Sequence, residues 1–202
     1  MKLCSVEGCN NKVHAKGYCS KHYMQVRRYG YVLERTKYDS NKIILHDKYA
    51  EIVMYNKDCE EIARATVDIE DVDKVKNYKW CLSHGYAMHS GKFFLHRLIM
   101  NCPDDMVIDH INHDPLDNRK ENLRICTQQQ NMMNRRTQSN NTSGITGVNW
   151  DKSKNKWRVQ IALNKIHYTV GYYENIDEAI QERKQAEADL FGEYRNNDED
   201  VS

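Results

Sequence analysis

The sequence predicts an α+β protein assembled from several small parts. Three observations lead to this expectation: cysteine and histidine cluster at the start, apolar strand-like segments fill the middle, and alternating strands precede an amphipathic helix at the end. A chain of 202 residues has room for one ordinary domain or for two to three small ones. We therefore expect a small N-terminal knuckle, a mixed central domain, and a C-terminal three-stranded antiparallel sheet packed on one helix.

Composition narrows the class of protein. Hydrophobic residues make up 40% of the chain, and no apolar segment approaches the roughly eighteen residues of a membrane helix. The first residues lack the apolar core of a signal peptide, and the seven cysteines are then typical of a reducing compartment. We expect a cytoplasmic protein with no membrane contact.

The N-terminal segment carries four metal-binding side chains at close spacing. They are Cys4, Cys9, Cys19 and His22. Thiolates and imidazoles in this number suit a tetrahedral structural zinc ion, and a segment with so few apolar residues has little else around which to fold. His14 is an alternative fourth ligand. Free cysteines beside an unrelated histidine are the plainer interpretation.

The same segment is basic. Residues 1–37 contain eight Lys and Arg against two acidic residues, a balance of 8 − 2 = +6, although the whole chain has a net charge of only +1. Positive segments of this kind suit a phosphate backbone, and we expect Arg27 and Arg28 to contact it.

The central part of the chain predicts strands interrupted by one short helix. Apolar and β-branched side chains in residues 42–45 and in Tyr49–Tyr55 indicate a hairpin. Residues 68–78 begin with acidic side chains and have valines three positions apart, which favours a short helix. Residues 80–88 and 92–100 then predict strands.

The most informative stretch begins with Asp109 and His110. A turn-forming segment follows, and the stretch closes on amide side chains. The residues after Asn122 indicate a helix, so we expect a strand ending at Ile108, a loop, and a helix that returns beneath the strand end. This arrangement would bring the Asp109 carboxylate and the Asn131 amide together, with the His110 imidazole beside them.

Those three side chains form a set suited to cleaving a phosphodiester bond. Carboxylate and amide oxygens bind hard divalent cations, and a neutral imidazole can take a proton from water near neutral pH. The metal can polarise the phosphate and stabilise the departing oxygen. A capped loop with a surface histidine is the plainer interpretation. Several positions of this stretch nevertheless carry side chains that a nuclease would need, and their number favours a nuclease.

At these positions the chain resembles the HNH endonucleases of the His-Me finger (ββα-metal) superfamily, especially their phage and intron-encoded homing branch. The resemblance implies a ββα-metal core with Asp109 as metal ligand and His110 as general base. It also implies that Asn122 holds the loop in shape and that Asn131 is the second metal ligand. The last H of the family name denotes a histidine, and this chain has Asn131 at that position. An amide oxygen in place of an imidazole favours Mg²⁺ or Mn²⁺ over zinc as the catalytic ion.

Polar and basic residues near this motif are candidates for DNA contacts. The set comprises His96, Arg119, Arg135 and Arg136. For His96, a hydrogen-bonded structural role is the alternative. Asn118 and Asn134 are nearby amides that compete with Asn131 for the ligand position. Residues 132–143 predict a linker.

The C-terminal part predicts a sheet and a helix. Apolar and polar residues alternate from Trp157, residues 166–172 supply the next strand, and a helix capped by Asp177 ends at Gly192. The outer sheet face would carry Asn149, Lys152, Arg158, Gln160, His167 and Thr169. Such a face can lie in the major groove of DNA, and an ordinary solvated sheet face is the equal alternative.

This part resembles the DNA-binding domain of the plant APETALA2/ethylene-response-factor family. The matching features are Gly147 and Val148, the Trp-x-x-x-Ile run from Trp157, Gly171 before an aromatic pair, and the Asp-Glu-Ala at the helix start. The resemblance implies that the sheet binds DNA. Plant members concentrate Arg and Trp on the DNA face, where this chain has Asn149, Gln160 and Thr169, so their base preference does not transfer.

Together these features predict four regions. They are a Cys3His zinc knuckle with a basic tract (1–37), an HNH endonuclease domain (38–137), an APETALA2-like domain (138–195) and an acidic tail (196–202). We expect a sequence-specific endonuclease of phage or mobile-intron homing type that acts in a bacterial host on double-stranded DNA, as a monomer or weak dimer. The alternatives are a DNA-binding regulator with an inactive centre, and a nuclease without sequence preference.

Overall fold

A computed structural model describes residues 2–135, 141, 143–164 and 166–196. The chain divides into two units, one formed by residues 1–40 and 55–62 and the other by residues 41–54 and 63–202. The fold is mixed, with several small sheets and short helices. In the described part of the chain, no helix is long and apolar enough to cross a membrane.

The smaller unit contains one helix, α1 (Ser20–Tyr29). Cys19 precedes it in an extended conformation, and the chain leaves it at Gly30, whose φ of 85° is the left-handed geometry in which glycine ends helices. The buried residues of α1 are the polar His22 and Gln25. This unit therefore does not fold around an apolar helix face.

The first sheet has three strands, and most of its residues belong to the larger unit. Its strands are β1 (Ile43–Leu45), β2 (Tyr49–Tyr55) and β3 (Glu61–Asp68), with β2 in the middle. The sequence predicts the antiparallel β1–β2 hairpin, which is confirmed, but it does not predict β3. The signal in β3 is the alternation of Ala65 and Val67, both fully buried, with polar neighbours.

A helix and a second sheet follow. The elements are a 3₁₀ turn (Ile69–Asp71), α2 (Val72–Val75), β4 (Trp80–Ser83), β5 (Tyr86–His89), β6 (Phe93–Phe94) and α3 (Leu95–Met100). The short helix is confirmed, but the strand predicted over residues 92–100 is wrong for all but its beginning. Leu95, Leu98 and Ile99 recur at helical spacing, and burial of Leu95 and Ile99 stabilises a helix there.

The main apolar core joins these elements to the hairpin that follows. It includes Ile52 and Met54 of β2, Trp80 of β4, Leu95 of α3 and Leu123, each at most 4% exposed. The Trp80 indole nitrogen donates to the carbonyl of Val75 at 3.0 Å, so this buried aromatic ring keeps its polar atom paired.

The stretch from residue 107 forms a hairpin and a helix. The elements are β7 (Val107–His110), β8 (Leu123–Cys126) and α4 (Gln128–Met133). Two details of the prediction are wrong: the strand continues through His110, and the helix starts only after Thr127 because residues 123–126 pair antiparallel with β7. Thr127 and Gln130 form a reciprocal capping box that begins α4.

The C-terminal part is a three-stranded antiparallel sheet packed on one helix, as the sequence predicts. Its elements are β9 (Val148–Asp151), β10 (Lys156–Leu163), β11 (Ile166–Tyr173) and α5 (Ile176–Phe191), with β10 in the middle. The helix cap is Asn175 and not Asp177, because the Asn175 side chain accepts the Asp177 N–H at 2.8 Å. Leu190 is 43% exposed, whereas Arg183 and Glu187 are buried and paired at 2.7 Å.

Candidate active site

The β7–β8 hairpin positions the two residues that open the motif. Asp109 lies opposite Arg124, and His110 lies opposite Leu123. Both Asp109 and His110 are buried. The Ile111 N–H donates to the Asn122 carbonyl at 2.9 Å and closes the hairpin just beyond His110. The motif therefore sits on a strand end, where paired backbone limits its movement.

The loop between these strands is held against β3. The Thr66 N–H donates to Leu116 and its carbonyl accepts from Asn118, both at 2.8 Å. Asn122 fastens the inside of the loop: its amide nitrogen donates to the Asp117 carbonyl at 2.8 Å, and its oxygen accepts the Asn112 N–H at 2.9 Å. A buried amide that satisfies two backbone groups is well suited to holding a loop in shape.

Helix α4 brings two amides to the hairpin. Asn131 lies on the wall of a cavity that Asp109 and His110 also line. Asn134 is buried, and its side-chain nitrogen donates to Asp109 Oδ1 at 2.9 Å and to the His110 carbonyl at 3.1 Å. Of the two, Asn134 therefore has a direct hydrogen bond to the carboxylate, while Asn131 shares the cavity.

The cavity has a volume of about 420 Å³. Its lining consists of Tyr86, Ile108, Asp109, His110, His113, Pro115, Gln128, Asn131, Met132, Asn134 and Arg135. A carboxylate, imidazoles, amides and one guanidinium on a single concave surface are the kinds of group that bind a charged substrate.

His110 is packed among rings and has one open nitrogen. Its ring centroid lies 5.2 Å from that of His96 and 5.9 Å from that of Tyr86. Within the described residues, its buried Nε2 has no hydrogen-bond partner. Burial lowers the pKa of His110, and the opposing effects of the Asn118 side chain and the Asp109 carboxylate do not reverse this. The imidazole is therefore neutral and can accept a proton.

Asp109 is oriented by groups on both of its oxygens. Arg124 Nε donates to Oδ2 at 2.7 Å, and Arg124 Nη2 lies 2.6 Å from the same atom. Asn134 donates one hydrogen bond to Oδ1. Each carboxylate oxygen can accept more than one bond, so a hard cation and these donors are compatible. With the Asn131 amide on the same cavity, the donor set fits a divalent metal ion.

Sequence reasoning does not single out Arg124 as part of the site. The signal is the alternation in residues 123–126, which indicates a strand that can pair with the strand carrying Asp109. Recognising that strand would have placed Arg124 opposite Asp109.

The predicted DNA contacts near the motif differ in accessibility. His96 is buried with 8% exposure and stacked on Phe94, so little of its surface is open to a phosphate, and its role as a DNA contact stays a prediction. Arg119 is engaged by Asp117 and Glu121 at 2.7 and 2.6 Å. Arg135 is exposed at the cavity edge, and Arg136 lies outside the described residues.

The C-terminal sheet brings most of its predicted contact residues together. Arg158 lies opposite Asn149, Gln160 opposite Thr169, and Ala162 opposite His167, so the register aligns these side chains across the strands. Lys152 is exposed in the turn between β9 and β10. Val159 and Ile161, which alternate with Arg158 and Gln160 along β10, are buried.

In the smaller unit, the four predicted ligands converge. The ligand atoms of Cys4, Cys9, Cys19 and His22 all lie within 4.8 Å of one another, and this group could hold a metal ion. Burial raises the pKa of the Cys4 thiol, but hydrogen bonds from His22 and the Cys19 backbone outweigh burial and lower it to about 6. His14 packs against Tyr23 instead, with ring centroids 5.8 Å apart. Arg27 and Arg28 are exposed in the last turn of α1.

Comparison with known proteins identifies relatives. A family model described as HNH endonuclease matches residues 94–133. The chain is 32% identical over 139 residues, 64% of its length and 72% of the relative's, to a protein named as an uncharacterized HNH endonuclease of Acanthamoeba polyphaga mimivirus. It is 39% identical over 56 residues, 28% of its length and 46% of the relative's, to Protein 3.8 of Escherichia phage T7. No solved structure matches significantly.

Proposed function

Because the chain belongs to the HNH endonuclease family, we propose that it hydrolyses phosphodiester bonds of double-stranded DNA with the help of a divalent metal ion. The observation that carries this proposal is the cavity shared by Asp109, His110 and Asn131, where a buried imidazole nitrogen has no partner in the described chain. A base beside hard oxygen ligands is the arrangement that metal-assisted hydrolysis requires.

His110 is the general base. Its open Nε2 accepts a proton from the attacking water, and its lowered pKa keeps it ready to do so at neutral pH. The rings of His96 and Tyr86 restrict how the imidazole turns. Asn122 maintains the loop that follows His110 and does not itself take part in proton transfer.

Asp109 and Asn131 would hold Mg²⁺ or Mn²⁺. Both supply oxygen donors, which these ions prefer to sulfur or nitrogen. When bound, the ion supplies the positive charge that polarises the phosphate and stabilises the departing oxygen. Asn134 acts as an orienting donor to Asp109, so it supports the ligand set without joining it.

The outer face of the C-terminal sheet is the proposed site of sequence recognition. The aligned residues Asn149, Arg158, Gln160, Thr169 and His167 are types that read base edges or contact phosphates. Arg158 Nε is buried without a hydrogen-bond partner in the described chain, which supports a role in binding. On the resemblance set out above, we assign this sheet an APETALA2-like role, with Lys152 holding phosphate.

Arg135 and the N-terminal unit extend the DNA contacts. Arg135 is exposed at the edge of the cavity and can hold the phosphate next to the cleaved bond. Zinc bound by the three cysteines and His22 would stabilise the smaller unit, whose exposed Arg27 and Arg28 then face phosphates. Arg119, paired with Asp117 and Glu121, serves chiefly to brace the loop.

A homing or related mobile-element origin is the biological role we favour. The relatives found in a giant virus and a phage support a viral or mobile setting. A DNA-binding regulator with an inactive centre is the second candidate, favoured by a recognition sheet independent of the cavity.

A cleavage assay on a selected target tests this function. DNA bound by the protein is first selected from a random pool and cloned into a supercoiled plasmid, so that a target is present. We expect nicked or linear product from wild type in Mg²⁺ or Mn²⁺, and none with chelator. His110→Ala should lower the rate by about 100-fold or more while DNA affinity is retained.

The matched control is His46→Ala, an exposed histidine stacked on Tyr49 away from the cavity, which should cleave like wild type. Tight binding without cleavage by wild type would favour the regulator. If unrelated competitor DNA suppresses cleavage as strongly as competitor DNA that carries the target does, the result would favour a nuclease without sequence preference.

A further inference from the structure

The chain returns to the nuclease cavity after the C-terminal sheet. A 3₁₀ turn (Gly192–Tyr194) follows α5 directly, and residues 192–196 form what we call the C-terminal turn. Asn196 is buried: its Oδ1 lies 3.1 Å from His113 Nε2, and its amide nitrogen donates to the Arg135 carbonyl at 3.4 Å. Both His113 and Arg135 line the cavity. The turn is thus fastened to the cavity edge.

Arg124 connects this turn to Asp109. Its guanidinium donates through Nε to Asp109 Oδ2 at 2.7 Å and through Nη1 to the Glu193 carbonyl. The guanidinium carbon also lies 4.8 Å from the centre of the Tyr194 ring. A planar guanidinium with five donors can make these contacts at once, whereas a lysine ammonium cannot reproduce the fork.

We propose that Arg124 is a positioning residue for the Asp109 carboxylate and that the C-terminal turn holds Arg124 in place, so the turn is a working part of the nuclease centre. This inference rests on the proposed function, in which Asp109 is a metal ligand. The Arg124 side chain is only 15% exposed and has contacts on two sides, so its geometry is set by Asp109 and the turn together. A carboxylate held in one orientation binds a metal ion better than one that rotates.

Metal affinity in a double-mutant cycle tests the connection. The variants are Arg124→Lys, Tyr194→Ala and the two combined. Arg124→Lys keeps the positive charge but loses the planar guanidinium with its several N–H donors. Each single change should weaken Mn²⁺ binding, measured by calorimetry on the full chain without DNA, by about three- to tenfold. Because both act through one guanidinium, Tyr194→Ala should have little further effect in the Arg124→Lys background.

Tyr194→Phe, which keeps the ring face, should restore the wild-type affinity lost in Tyr194→Ala. Surface controls are Arg64→Ala and Tyr38→Ala, whose exposed side chains lie outside the cavity and the turn. Thermal unfolding of every variant shows whether a loss of affinity comes from a loss of fold.

The outcomes separate the two proposals. Additive effects of Arg124→Lys and Tyr194→Ala, or an unchanged Mn²⁺ affinity in folded Tyr194→Ala, would overturn the role of the turn while leaving the nuclease intact. Wild-type protein that neither binds Mn²⁺ nor cleaves its selected target would overturn the proposed function, and this inference with it.

Discussion

At the scale of single residues, the proposed mechanism depends on keeping a histidine neutral inside the protein. His110 and His96 are both buried, and their rings meet edge to face. Burial lowers the pKa of His96 to about 3, with a smaller contribution from His110, so His96 carries no charge that would repel a proton on its neighbour. His96 therefore packs against His110, the base of the proposed mechanism, and this packing accounts for its burial better than a DNA contact does.

The lowered pKa of His110 predicts how cleavage depends on pH. An imidazole accepts a proton only when neutral, and a pKa below the ordinary histidine value of 6.5 extends the neutral range to lower pH. We expect the fall in kcat/KM for plasmid nicking at low pH to have its midpoint below 6.5. An NMR titration of the His110 ring in metal-free protein checks the same point, and a midpoint above 6.5 would contradict the prediction.

At the scale of elements, the loop after His110 takes its shape from β3 as well as from its own turn residues. Thr66 pairs with both Leu116 and Asn118, and Lys120 N–H donates to Asp68 Oδ2 at 2.8 Å. A strand more than forty residues earlier in the sequence thus serves as the template for the loop. This is why turn propensity alone predicts that a loop exists but not where its side chains lie.

The C-terminal sheet contains a close backbone approach that only glycine permits. Gly147 has φ +82°, and a Cβ added there would lie 2.3 Å from the Gln160 carbonyl and 2.8 Å from Arg183 Nε. The Gln160 N–H donates to the Gly147 carbonyl at 2.8 Å, which holds the two backbones together. Gly144 has a similar φ of +77° but open space around it.

This pair of glycines gives a matched test of packing. Gly144→Ala and Gly147→Ala both meet the left-handed backbone penalty of about 1 kcal/mol. Gly147→Ala should lower the free energy of unfolding by a further ~2 kcal/mol. The added Cβ meets the backbone carbonyl oxygen of Gln160, so the backbone itself must shift. Urea denaturation measures the difference. Equal losses in the two variants would show that the approach at Gly147 is not tight.

At the scale of the whole molecule, the two units are stabilised by different means. The larger unit has an apolar core that includes Ile52, Trp80 and Leu95. The helix of the smaller unit buries polar residues, and four potential metal ligands meet beside it. Division into the four regions inferred from the sequence remains a prediction, and so does the oligomeric state.

This difference predicts that zinc removal affects one unit only. We expect about one zinc ion per chain by elemental analysis, and a chelator should speed amide exchange in residues 2–29 without changing β2 or β4. Cys9→Ser should have the same local effect. Cys102→Ser, outside the cluster, is the matched control. A chain that holds no zinc, or exchange that is unchanged by chelator, would contradict the prediction.

The sequence by itself determined which chemical groups this protein brings to its candidate sites. The Asp109–His110 pair, the later amides and the Cys/His spacing identify a set of groups, because spacing and donor type can be read without coordinates. The same holds for the C-terminal sheet and helix, where local alternation agrees with the final fold, although the helix cap is Asn175 and not Asp177.

Only the tertiary structure decided which side chains touch. In the folded chain, residues 95–100 form a helix with buried apolar residues. Asn134 donates a hydrogen bond to Asp109, and Arg124 connects the same carboxylate to the C-terminal turn. The contact between Arg124 and the C-terminal turn joins residues 69 positions apart, so no local pattern carries it. The physical origin of these contacts is packing and the pairing of buried polar groups, which depend on the whole fold.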